Sequence, residues 1–146
     1  MRYAFNIVFA LSIVLIVGFA PSAFAQESVT VEVRTIAATK DGHGYDLKLN
    51  DIKRKLEKKF GSKYQHFSEI RTQSIRVGGK NESSVKLPNG SKLTVGYAGK
   101  AGKYLKLHLG IVGKMSSTLR VKRGKTLFHA GLRHKGGILI LAITVK

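Results

Sequence analysis

Cysteine and tryptophan are absent from the 146 residues, proline occurs twice, and eight acidic residues stand against 26 basic ones. Without cysteine there is no disulfide, no thiol nucleophile, no thiolate metal site, and no residue on which a lipoprotein's acyl chain could sit. The fold must therefore be held by an apolar core. The acids are scattered singly, so their spacing offers no carboxylate pair for general acid and base work. Gly-x-Ser-x-Gly, His-Glu-x-x-His and phosphate-loop sequences are also missing. An enzyme is the least favoured class, and neither a catalytic residue nor a cofactor is assigned.

What is present begins with an export pattern. Arg2 precedes a largely apolar run from Ala4 to Ala20, Pro21 breaks it, and Ala23-Phe24-Ala25 offers the small residues that signal peptidase accepts. This predicts cleavage after Ala25 and a periplasmic or secreted product, residues 26–146, forming a single basic β-rich domain. An uncleaved anchor is the alternative. The run is about 17 residues long and contains Asn6, whereas a spanning helix needs ~20 apolar residues. The remaining 121 residues suffice for one apolar core.

Charge is the second feature. Loss of Arg2 leaves 25 Lys and Arg against eight acids, a net charge of +17. Such a chain attracts polyanions by counterion release and long-range steering, and an exported one meets envelope polymers or anionic lipid rather than cytoplasmic nucleic acid. Eighteen of the 26 basic residues are Lys, a hydrated point charge, which favours diffuse attraction over bidentate recognition. Solubility alone is the competing explanation.

Along the chain, Val29, Val31 and Val33 alternate with polar residues, predicting a half-buried strand that ends near Ala38. After the glycine-containing loop Lys40 to Gly44 the period changes. Leu49, Ile52, Leu56 and Phe60 predict one amphipathic helix over 47–60, with Asp46 as its N-cap and Gly61 in a left-handed terminal position. Its lysines form a basic ridge, or else a solvated face on which Asp51 pairs with Lys55. A narrow apolar stripe without Trp argues for packing on the domain's own sheet rather than on a membrane surface.

Strands follow. Residues 64–77 slip in phase, indicating a bulge or two shorter strands. Val85 and Leu87 lead into Pro88-Asn89-Gly90-Ser91, and Leu93, Val95 and Tyr97 lead out, which marks a hairpin. Leu105, Leu107, Leu109 and Ile111 face inward opposite Tyr104, Lys106 and His108. A strand from Thr118 to Lys122 turns at Arg123-Gly124 and returns through Thr126 to Ala130. After Gly136-Gly137, Ile138 to Val145 is apolar on both faces, as a central strand or one covered by the helix requires. The expected architecture is mainly β, α+β: an antiparallel β-sandwich of about seven or eight strands with one helix near 47–60. A transmembrane barrel would force lysines into lipid.

His129 and His134, placed across a turn, would ligate zinc or copper only with a third partner such as His108 or His43. Asp41-x-His43-x-x-Asp46 lacks the carboxylate density of a calcium loop. No metal ligand is assigned. Phe60, Tyr64, Phe67, Tyr97 and Tyr104 lie near lysines, but no RNA-binding signature accompanies them.

Taken together, Ile36-Ala37-Ala38, the loop from Asp41 to Asp46, Leu87-Pro88-Asn89-Gly90 and the closing Gly136-Gly137-Ile138-Leu139-Ile140-Leu141-Ala142-Ile143 resemble small exported bacterial proteins of uncharacterised function. Leu47 departs from the proline that commonly follows this loop. The resemblance implies fold rather than activity, and no functional residue carries over.

The expected role is an exported, non-enzymatic binding or scaffolding domain that contacts anionic envelope polymer or a lipid surface. Its candidate contacts are Lys53, Arg54, Lys55, Lys58 and Lys59 on the helix, with Lys122, Arg123 and Lys125 at a turn. The alternative is an assembly factor or subunit that meets an envelope protein partner through an exposed strand edge. A metal-dependent enzyme comes last.

Overall fold

The computed structural model describes residues 27–146, so the expected export segment lies outside the described residues. They form a β-sandwich of two sheets. β1 (Ser28–Thr39) pairs on one side with β3 (His66–Gly78) and on the other with β9 (Gly137–Val145). The two-residue β2 (Gly44–Tyr45) and β8 (Thr126–His134) complete the order β2-β3-β1-β9-β8. The second sheet is a meander of β4 (Glu82–Lys86), β5 (Lys92–Ala101), β6 (Tyr104–Ile111) and β7 (Met115–Val121). All pairings are antiparallel except that of β2 with β3.

Alternation builds the core between the sheets. Val29, Val31 and Val33 meet Leu93, Val95, Leu107 and Leu109, all fully or almost fully buried. The hairpin expected at Pro88-Asn89-Gly90 joins β4 to β5. Leu87 N–H donates to the Ser91 carbonyl at 2.8 Å, and Asn89 Oδ1 accepts from Ser91 N–H at 3.0 Å. Gly90 there has a φ of 85°, a conformation that disfavours other residues.

β9 is buried on both faces, as its composition requires. Leu139, Leu141, Ile143 and Val145 face the sandwich core, while Ile140 and Ala142 join a second cluster with Ile36, Ala38, Leu49, Ile52, Leu56 and Phe67. That cluster lies beneath α1 (Lys53–Phe60), which covers the outer face of the five-stranded sheet. Each fully buried aliphatic side chain contributes about 2 kcal/mol, so Leu49, Ile52 and Leu56 anchor the segment firmly.

The helix is shorter than its periodicity suggests. Leu47–Leu49 forms a 3-10 turn and α1 starts only at Lys53. Asp46 caps the 3-10 turn, its Oδ1 accepting from Lys48 N–H at 3.1 Å. The break has an identifiable cause. In a continuous helix the Lys48 carbonyl would accept from Ile52 N–H, but it is taken by the Arg34 guanidinium, and Ile52 N–H turns to Leu49 instead. Gly61 ends α1 with a right-handed φ of −64°, not the expected left-handed one, because its N–H still bonds to the Glu57 carbonyl.

The phase slip in residues 64–77 is a bulge within one strand. Thr35 lies opposite Arg71 and Ile36 opposite Glu69, leaving Ile70 unpaired. β7 begins at Met115, three residues before the expected start.

Candidate functional site

The cationic residues singled out in the sequence fall into two groups. α1 crosses the five-stranded sheet from the β2 side to β8. Lys53 Nζ lies 5.1 Å from the Tyr45 ring centroid, and at the other end Lys59 Nζ lies 5.5 Å from that of Phe128. Phe60 meets Phe128 edge-on at 6.1 Å. Lys53 and Lys59 therefore roof aromatic side chains, whereas Arg54, Lys55 and Lys58 are exposed. The expected Asp51 to Lys55 pair does not form. Asp51 instead binds Arg34 at 2.7 Å, and that guanidinium holds its carboxyl below the usual range.

Lys122, Arg123 and Lys125 occupy the crossing from β7 to β8, where the chain leaves one sheet for the other. Arg123 is tied back to the Lys146 carbonyl. Lys122 Nζ lies 5.5 Å from the Tyr104 centroid, and Lys103 Nζ lies 5.8 Å from it. A cavity of about 220 Å³ is lined there by Tyr104, Arg120, Lys122 and Lys125 among others, with no carboxylate in its wall. No hydrogen bond, ion pair or stacking contact joins this group to the helix lysines among the described residues.

Register adds three residues that the sequence reading did not select. Lys103 is brought in through Tyr104; Lys106 and Arg120 stand directly opposite each other on β6 and β7. Their neighbours Leu107 and Val121 point into the core, so both side chains emerge on the outer face of the four-stranded sheet. Lys86 opposite Lys92 repeats the arrangement on β4 and β5. Like charges directly across a ladder are destabilising. The alternation had already placed Tyr104 and Lys106 outward; only the pairing of β6 with β7 was missing.

No protein-family model, curated protein or solved structure matches this chain. The surface is therefore read from its chemistry. Among the described residues, the ion pairs engage only Arg34, Lys100 and Lys146 as cations. The remaining lysines and arginines there have no Asp or Glu side chain within ion-pairing distance. Glu82 is the acid on the outer face of the four-stranded sheet, and it stands opposite Gly96, away from Lys106 and Arg120.

The histidines are not arranged as expected. His129 and His134 lie on the same strand, β8, and the turn comes after them at Lys135-Gly136. Five steps of strand place them roughly 15 Å apart, too far to share an ion. Burial pushes the His129 pKa down. Among the described residues no three side chains of His, Asp or Glu gather as metal ligands. Of the five aromatic residues near lysines, Phe67 is fully buried, Phe60 and Tyr64 pack on the core beneath α1, and Tyr97 packs against the core between the sheets, leaving Tyr104 as the one flanked by cations.

Proposed function

We propose that this is an exported, non-enzymatic domain, periplasmic or secreted, that binds or scaffolds anionic envelope polymer through the outer face of its four-stranded sheet. The observation that carries the reading is the cluster of Lys103, Lys106, Arg120, Lys122 and Lys125 around Tyr104, with like charges opposed across the ladder and no carboxylate among them. An anionic ligand would relieve that repulsion, and release of its counterions would favour binding. Lipid surfaces carry the same charge but lack a polymer's repeat; along a strand, side chains on one face recur every ~7 Å.

The test is retention of the purified protein on lipopolysaccharide and on acidic polysaccharide across a salt series, beside duplex DNA and anionic vesicles. The logarithm of the affinity for the polymers should fall linearly with the logarithm of salt concentration, and Lys106→Gln with Arg120→Gln and Lys122→Gln should reduce the slope by about one unit each, up to three. Binding that ignores salt, or that prefers DNA or vesicles, overturns the reading.

A second reading rests on β8, whose outer edge has no strand beside it among the described residues. Its partly exposed Leu127, Phe128 and Ala130 would suit β-augmentation by an envelope protein, as an assembly factor would require. Capture that survives high salt favours this alternative.

A further inference from the structure

A second concave surface lies at the opposite end of β8, about 25 Å from the β7 to β8 crossing at strand spacing. Its cavity, about 470 Å³, is lined by Lys40, Tyr64, Arg133, His134, Lys135 and Gly136 among others. No Asp or Glu is in its wall; Asp41, next to Lys40 in sequence, does not line it. Two separate segments supply the cations: the chain leaving β1, and the end of β8 with the turn that follows it.

The turn itself is unusual. Lys135 and Gly136 form the two-residue connection between β8 and β9, with φ values of 39° and 73°. Two central residues of positive φ are what a right-twisted hairpin favours, and Asn-Gly or Asp-Gly is the pair that adopts them easily. Lys135 is the one non-glycine residue of positive φ among the described residues. A lysine there is strained where asparagine would not be, and the strained residue lines the groove.

We propose that this groove binds a phosphate monoester carried on a small organic group of sugar size. Arg133 offers a planar fork that matches phosphate, Lys135 and Lys40 supply point charges, and Tyr64 forms an aromatic wall for the organic part. The volume falls in the range of small-ligand pockets and leaves room beyond a bare ion. The site goes beyond the polymer surface proposed above and stands on different residues.

The experiment is a titration of the purified protein with glucose 1-phosphate and, separately, with inorganic phosphate, followed by amide chemical shifts and calorimetry. Glucose 1-phosphate should bind saturably and more tightly than inorganic phosphate, shifting the amides of Lys40, Tyr64, Lys135 and Gly136. Lys135→Asn should weaken it about tenfold, the loss of one charge-assisted contact, while raising the thermal midpoint because asparagine suits the turn. Arg133→Gln should weaken it similarly. Lys103→Gln with Lys122→Gln should leave it unchanged and lower polysaccharide binding, which separates this site from the polymer surface. Failure to bind either probe, equal affinity for the two, retention of affinity within about twofold in Lys135→Asn, or shifts spread across β6 and β7 would each overturn the proposal.

Discussion

Arg34 and Asp51 meet at 2.7 Å across the joint between the first strand and the segment that leads into α1. The same guanidinium binds Glu69 at 2.8 Å, and Thr72 Oγ1 donates to that carboxylate at 2.7 Å. Burial opposes the arginine's charge, yet Asp51 and Glu69 hold its pKa above the ordinary value. The arginine fastens the helical segment to β1 and β3 together.

Arg34→Ala should therefore be costly. It leaves the Glu69 carboxylate, only 10 % exposed, without its cation, and breaking a buried pair in this way costs about 3 kcal/mol. Asp51→Asn removes a carboxylate that is 65 % exposed and should cost about 1 kcal/mol or less. Urea unfolding of the two variants gives the comparison. Equal losses would place the anchor at Asp51 instead.

Acid should weaken the protein by two routes. Asp51 has a depressed pKa when folded, so its contribution is complete above the ordinary carboxylate value near pH 4 and is lost as pH falls through the depressed one. His129 is also depressed, by burial, so stability is full above the ordinary histidine value of about 6.5 and declines as pH drops toward the folded one. Thermal midpoints from pH 8 to pH 2 should show both declines. Asp51→Asn should flatten the lower one and His129→Gln the upper one.

Gly137→Ala should destabilise the sheet by about 2 kcal/mol, measured by thermal unfolding, because an added Cβ would run into the Ala38 carbonyl oxygen. The neighbouring Gly136 has open space around it and is needed for its positive φ instead. Substitutions at these adjacent glycines act through different physics, one steric and one conformational.

The helix ridge supplies a contrast. Replacing Arg54, Lys55 and Lys58 with Gln removes exposed cations from the solvent-facing side of α1, and should change stability by less than about 0.5 kcal/mol. If polysaccharide binding falls more in this variant than in Lys106→Gln with Arg120→Gln and Lys122→Gln, then the ridge and not the sheet is the principal contact.

Much of the fold was legible because core burial leaves a period in the sequence. Val29, Val31 and Val33, the alternation through β6, the turn at Asn89-Gly90 and the doubly apolar β9 each announce their environment. The interruption of the helix was not legible, since it depends on Arg34 reaching a carbonyl 14 residues away in sequence. The same limit applied to the candidate surface. Lys106 and Arg120 become neighbours only through strand register, and Lys40 reaches Lys135 only because β1 and β9 are adjacent. Charge runs such as 53–59 are visible locally, whereas charge brought together by a sheet is not.

The pairing of β1 with β9 also bears on when this chain can fold. Thr39 waits for Gly137 and Val31 for Val145, partners made roughly a hundred residues later, and loop closure on that scale makes folding slow. Until β9 arrives, the valines of β1 and the inner face of the meander lack the strand that completes their common core. A chain so arranged cannot complete its sandwich until β9 has been made, however early the hairpins of the meander form. The last strand thus acts as a timer, setting the moment at which the two sheets can close.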